Sequence, residues 1–201
     1  MKKFFLMAVA AMMVTMNVNA QSVYEDTKNE VGISLGAWSN SDILNAFETL
    51  GVVIVGVKTD GEKFLGPISV EYFRRLKPWL GVGGIAVYGQ MKQDFYMNGK
   101  SGGKDGEIKN HYFTLMPAVK FDWLRKEHFG MYSKLACGAT LRNEKIIYND
   151  KSYKSSDDTE LHVNWQVSLL GLEAGGEQLR GFIEIGSGEQ GIMLIGLRYK
   201  F

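Results

Sequence analysis

One cysteine, Cys137, stands in 201 residues. No disulfide can form within the chain, so its stability has to come from packing and hydrogen bonds. Histidine is also scarce, with His111, His128 and His162 the only three. None pairs with another at i+2 or i+4, and a lone thiol adds no cluster, so no metal-ligand pattern exists. Lys and Arg (23) nearly balance Asp and Glu (22). That balance lacks the basic excess of a nucleic-acid binder. Beyond residue 20 no apolar run reaches the roughly 18 residues of a spanning helix, which excludes a helical membrane protein. Proline is limited to three residues, whereas glycine reaches 24.

What is present begins with a leader. Met1–Ala20 opens on Lys2 and Lys3, continues with an apolar stretch from Phe4 to about Met16, and ends in small polar residues. This is the anatomy of a secretory signal peptide cleaved between Ala20 and Gln21. The stretch is too short for a membrane anchor. The expected organisation is a signal peptide over residues 1–20 and one domain over residues 21–201.

The dominant signal in that domain is a period of two, the mark of strands with two unlike faces. From His111 to Trp123, Phe113, Leu115, Pro117, Val119, Phe121 and Trp123 share one face, and Lys120 and Asp122 fall on the other. Leu161–Leu169, Met131–Arg142 and Val31–Trp38 repeat the pattern. Weaker alternation marks Phe64–Phe73, Trp79–Met91 and Gly181–Ser187. The terminal segment alternates Met193, Ile195, Leu197, Tyr199 and Phe201 against Gly196, Arg198 and Lys200. The total is about eight strands.

Connections alternate in length. Arg74–Pro78, Leu124–His128 and Glu173–Arg180 are short. Ser39–Lys63, Lys92–Asn110 and Asn143–Thr159 are longer and polar, and the last connection, Gly188–Gln190, is tight. Ser41–Leu50 reads as a short capped helix. Val52–Val57 either extends a strand or caps the barrel. Aromatic residues collect near the short turns (Trp79, Trp123, Phe129, Phe201) and near the long loops (Trp38, Tyr88, Phe113). The fold class predicted is all-β: an eight-stranded antiparallel up-and-down transmembrane β-barrel, preceded by a signal peptide. Eight strands leave an interior that side chains fill.

The terminal octet Leu194-Ile195-Gly196-Leu197-Arg198-Tyr199-Lys200-Phe201 resembles the insertion signal of outer-membrane barrels, with Gly196, Tyr199 and Phe201 at its defining positions. Leu194 stands where a polar residue is usual. With segments such as Trp79-Leu80-Gly81-Val82-Gly83, the domain resembles the small eight-stranded outer-membrane barrels of the OmpX/OmpA-like class, in the version of Bacteroides-type bacteria. The resemblance implies the bacterial outer membrane as location. It implies outer-membrane lipid and lipopolysaccharide as surroundings, and the barrel-assembly machinery as a partner during insertion. It carries no catalytic motif.

Chemistry is sparse. Gly81–Ala86 fits G-x-G-x-x-A, but no helix follows, and barrel packing explains the glycines better. Glu71, Lys120, Asp122, Lys134, Arg142, Glu184 and Arg198 fall on inward positions, and charges in a narrow lumen need partners. They are expected to form a salt-bridged plug, with a narrow ion path as the alternative. Cys137 falls on the lipid face. No catalysis, cofactor, metal or nucleic acid is expected, and the chain is expected to be a monomer. The expected role is structural or surface interaction through outer loops, whose lysines include Lys100, Lys104, Lys109, Lys145, Lys151 and Lys154. Two other readings stand beside it. One is a lipid A-modifying barrel enzyme using His111 near the outer rim, although no His-x-Ser accompanies it. The other is a soluble lipocalin-like barrel with the apolar face turned inward around a ligand.

Overall fold

A computed structural model describes residues 27–41, 58–96, 105–149 and 156–201. The signal peptide with Ala20 and Gln21, most of the expected Ser41–Leu50 helix, Val52–Val57 and four of the loop lysines (Lys100, Lys104, Lys151, Lys154) lie outside the described residues. Eight strands follow in chain order: β1 (Asn29–Ala37), β2 (Lys58–Lys77), β3 (Leu80–Tyr96), β4 (Gly106–Arg125), β5 (Phe129–Tyr148), β6 (Ser156–Gly175), β7 (Leu179–Gly188) and β8 (Met193–Lys200). Each pairs antiparallel with its neighbours, and β8 returns to β1, so the sheet is a closed up-and-down barrel. The ends are tied together by two bonds, Asn29 N to Phe201 O and Phe201 N to Asn29 O, each 2.9 Å. Closure removes the strand edges that an open sheet leaves exposed.

The register shows why the apolar residues alternate as they do. Paired residues can be followed around the barrel from Leu161 through Leu141, Phe113, Tyr88, Ile68, Leu35, Ile195 and Ile183. The path returns to β6 at Leu172, eleven residues beyond its start. Every member of this row is apolar or aromatic, and most are outward and exposed. The eleven-residue climb is the stagger that tilts the strands and lets a sheet of this width close.

The two faces have the opposite sense from a soluble domain. Leu115, Leu161, Val163, Ile183, Ile195 and Leu197 are exposed, whereas Glu71, Lys120, Lys134, Glu184 and Arg198 are at most 1% exposed. A lipocalin-like barrel requires the reverse arrangement, and this one does not have it. One side of the interior is apolar: Phe73, Ile85, Val87, Met116, Ala118 and Ala136, all inward on β2–β5, form one cluster. The charges come mostly from β5–β8 and β1, joined by Glu71 of β2 and by Lys120 and Asp122 of β4.

Strand length differs from expectation. The polar stretches Lys92–Asn110 and Asn143–Thr159 are for the most part not loops, because β3, β4, β5 and β6 continue through them, and β2 begins as early as Lys58. β2, β4, β5 and β6 have 20 residues each and β3 has 17, against 9, 10 and 8 in β1, β7 and β8. Five strands therefore stand well above the level at which the other three stop. The short connections lie at the opposite end, with turns at Pro78–Trp79 and near Glu127–His128 and Gly176–Gln178. There Trp79 stacks on Phe121 and Tyr199 on Phe201, with centroids 6.3 and 5.9 Å apart. A register shift between Asp122 and Leu124 takes Trp123 out of the regular alternation in which the sequence placed it.

Candidate functional site

The barrel interior is the most densely functionalised region of the molecule, and it is built in two tiers. The lower tier, nearer the short turns, is ionic. Lys134 Nζ donates to Glu71 at 2.7 Å and to Glu184 at 2.9 Å. Arg198 donates to Glu71 and, at 2.7 Å, to Glu173. Glu173 also accepts from Arg180 at 2.8 Å and from Lys200. Lys120 donates to Glu30 at 2.6 Å and lies 3.5 Å from Asp122 and 3.7 Å from Glu173. Tyr132 binds the tier together. Its hydroxyl donates to Glu184 at 2.7 Å, and the Lys120 ammonium and the Arg198 guanidinium both lie over its ring, 4.4 and 4.6 Å from the centroid. Each buried charge has an opposite charge within hydrogen-bonding reach, the condition on which buried ions are tolerated.

Of the seven lumen residues singled out in the sequence, six meet here: Glu71, Lys120, Asp122, Lys134, Glu184 and Arg198. Arg142 does not. It lies eight residues beyond Lys134 on the same strand, at the outer mouth, 2.8 Å from Glu144. Sequence reasoning missed Glu30, Glu173, Arg180, Lys200 and Tyr132. Arg180 and Lys200 share the parity of Glu184 and Arg198, so continuing the alternation would have found them. Glu173 was hidden by a register shift between Ser168 and Leu170, which changes the parity of everything after it.

The upper tier is a plug of neutral hydrogen bonds around one carboxylate. The connection between β7 and β8 folds inward: Gly188 and Gly191 take positive φ angles of 138° and 112°. Glu189 and Gln190 are consequently buried at the level where β1 ends. Glu189 accepts from the Ser41 hydroxyl at 2.6 Å, the Ser41 backbone N–H at 3.2 Å, the Asn164 amide at 2.8 Å and the Thr114 hydroxyl at 3.2 Å. Thr114 and Thr140 share a 2.6 Å bond, and Asn164 also donates to Thr140. Burial pushes the Glu189 carboxyl above its usual range, against the opposing pull of the bonds from Ser41, Asn164 and Thr114. Gln166 anchors the turn from below by accepting from Gln190 N at 2.8 Å and donating to Gly191 O at 3.2 Å.

The remaining sequence candidates lie elsewhere. His111 is on the outer face, its Nδ1 2.9 Å from the Tyr88 hydroxyl. His162 sits above the upper tier, 3.0 Å from Glu160. His128 lies in a short turn beside Gly175 O. Cys137 is exposed on the outer face. Gly196 is inward, and Tyr199 and Phe201 stack at the outer surface near the short-turn end. A cavity of about 260 Å³ at the outer mouth is lined by Arg142, Glu144, Asp158 and Glu160. Among the described residues, no group of three or more His, Cys, Asp or Glu is placed to hold a metal ion.

No family model and no curated protein matches the chain. Solved structures do. The attachment invasion locus protein Ail of Yersinia pestis matches with a TM-score of 0.45 and 14% identity, over 87% of this chain and 97% of that one. The N-terminal β-barrel domain of Pseudomonas aeruginosa OprF matches with a TM-score of 0.41 and 12% identity, over 88% and 100%. What the strand pairing of this chain shows by itself is a closed antiparallel up-and-down barrel of eight strands.

Proposed function

We propose that this chain is an integral outer-membrane barrel that acts through the sheet it raises above the membrane, as a surface-interaction scaffold without catalysis. The observation that carries this reading is the unequal strand length. β1 pairs with β2 only from Ile68 to Arg74, so Lys58–Pro67 has no β1 partner. β7 pairs with β6 only from Gln166 onward, so Ser156–Asn164 has no β7 partner. Among the described residues, five strands thus form an open sheet with two edges above a closed base. Free edges offer main-chain groups to an extended partner segment. The outward apolar row supports a lipid-embedded base, and the ion-paired lower tier supports a base that is structural. The lipid A-modifying alternative has less support, because His111 has Tyr88 as its close ring partner.

Orientation tests the reading directly. In a Cys137→Ala background, Thr159→Cys on the raised sheet should react with a membrane-impermeant maleimide on intact cells. Glu177→Cys in a short turn should react only after the outer membrane is opened. Equal labelling of both on intact cells, or labelling of Glu177→Cys alone, would overturn it.

A further inference from the structure

We propose that the free edge of β6 binds an extended segment of a partner protein whose residues alternate between apolar and cationic. The raised end of this strand is bare. Asp158, Thr159, Glu160, Leu161, His162 and Val163 are exposed in unbroken succession, so neither face of β6 is covered there. Deeper in the same sheet the inward face is closed, with Met91 and Gln93 of β3 and Asn110 and Tyr112 of β4 at most 6% exposed. The backbone direction follows from the place where β7 ends. Trp165 O accepts from Glu189 N at 2.9 Å, so the main-chain groups of Trp165 face the β7 side. In a regular antiparallel strand those of every second residue share that direction. The N–H and C=O groups of Thr159, Leu161 and Val163 therefore point off the sheet, with no β7 residue opposite them among the described residues. Trp165 N donates to Asn164 Oδ1 at 3.0 Å, which ends the run. Three residues thus offer their donors and acceptors to an added strand.

The side chains beside these groups fix the chemistry of the partner. Leu161 and Val163 take successive outward positions and are 69% and 84% exposed. An open strand edge does not stand in hydrocarbon, where its bare main-chain groups find no partner. The two residues therefore present an apolar strip to water, next to an unpaired ladder. On the inward side Asp158 and Glu160 line the mouth cavity of about 260 Å³ together with Arg142 and Glu144. Register sets Glu144 opposite Asp158 and Arg142 opposite Glu160. Arg142 bonds Glu144 at 2.8 Å, and His162 lies 3.0 Å from Glu160. The lining thus has three carboxylates and one guanidinium. Carboxylates facing each other across strands cost stability, and a cation on the next strand offsets that cost. An added strand places alternate side chains on the two faces. Those beside Leu161 and Val163 are apolar, and those beside Asp158 and Glu160 are Lys or Arg. A second copy of this chain fits less well, because its β6 brings another Asp158 and Glu160 to the face that already has them.

The proposal rests on the surface-scaffold reading, and its test separates the two. The full chain in nanodiscs of zwitterionic lipid is titrated with three fluorescent peptides of equal length. One alternates lysine and valine, one carries the same residues in two blocks, and one alternates glutamate and valine. The alternating lysine peptide should bind tightest, and its affinity should fall as salt rises. Asp158→Asn/Glu160→Gln should weaken it by about two- to fivefold per residue, on the order of tenfold together. Leu161→Pro deletes an N–H that faces off the edge, so the bonds to β5 remain. That variant should keep the heat-induced gel shift and lose the peptide. Glu127→Gln/Glu177→Gln at the opposite end should bind like the wild type. Equal binding of the block or glutamate peptide, or undiminished binding by Leu161→Pro or by the Asp158/Glu160 pair, would overturn the edge site. Peptide-sensitive energy transfer between two labelled populations of the chain would overturn a foreign segment as the occupant. Peptide binding in nanodiscs, with Thr159→Cys unlabelled on intact cells, would overturn the surface orientation and not the edge.

Discussion

The two tiers of the lumen differ in how single residues meet the cost of burial. In the lower tier, charge is matched with charge, and space is made where the matching needs it. A Cβ at Gly171 would lie 2.3 Å from the Tyr132 ring, so the absent side chain is what makes room for the ring against which Lys120 and Arg198 pack. In the upper tier a carboxylate is held by neutral donors alone, and its behaviour with pH follows. In the unfolded chain Glu189 titrates in the ordinary carboxylate range, and in the tucked turn it titrates above it. Between those two values the folded state binds more protons than the unfolded state. Stability therefore falls as pH rises through that window and stays lowered above it. Glu189→Gln removes the buried charge. Its Nε2 can face the Ser41 and Thr114 hydroxyls, which rotate to accept, while its oxygen keeps the Ser41 N–H and Asn164 donors. At neutral pH this variant should melt higher than the wild type, by ~2–4 °C, the shift that about 1 kcal/mol makes in a chain of this size. It should also lose the fall in stability that Glu189 contributes as pH rises above the ordinary carboxylate range. A thermal melt series from pH 4 to 8 checks both, and a lower midpoint at pH 7 would contradict the account.

At the scale of elements, β6 carries the most instructive irregularity. Lys134 pairs with Ser168 and Tyr132 with Gly171, so two residues of β6, Leu169 and Leu170, face the single Ser133 of β5. This bulge lets two leucines in succession avoid the lumen and then returns Gly171 and Glu173 to it. Deleting Leu169 should leave a regular strand with Ser168, Gly171 and Glu173 still inward. That variant should insert and show a normal gel shift. Deleting Leu172, three positions on, swings Glu173 to the outer face and strips Arg180, Arg198 and Lys200 of their shared carboxylate. It should not yield a heat-modifiable barrel, because uncompensated buried charges cost about 3–5 kcal/mol each. If the two deletions behave alike, the bulge does not set the parity. The same irregularity marks the limit of what the sequence discloses. Strand number, inward and outward faces and most of the ionic tier were legible, because one face meets the outside and the other a narrow interior, and a period of two survives in the residue types. Glu173 was not legible, because a bulge leaves no compositional mark. The raised ends of β2–β6 were not legible either. Lys92–Asp94 and Asn143–Lys145 are polar on successive positions, so a strand supported by cross-strand pairing cannot be told from a solvated loop there.

The whole molecule distributes its polarity inside out, and that arrangement decides what the lumen does. The lower tier holds five acids (Glu30, Glu71, Asp122, Glu173, Glu184) and five bases (Lys120, Lys134, Arg180, Arg198, Lys200), so its net charge is zero and it offers no field to select ions. Facing it across the interior, Phe73, Ile85 and Met116 are at most 1% exposed, as are Tyr132, Lys134 and Arg198 between them. A hydrated ion would have to displace paired side chains whose partners would then be left bare in a low-dielectric interior. Above them, the Glu189 turn closes the same axis a second time with bonds from three other elements. The expected result in a planar bilayer is a silent protein, without discrete current steps at moderate voltage, for the wild type and for Glu189→Gln alike, since the ionic tier remains shut when the upper tier is altered. Discrete openings in the wild type would show that the ion pairs exchange partners rather than fill the barrel. Openings confined to Glu189→Gln would place the barrier in the turn and make the lower tier a path.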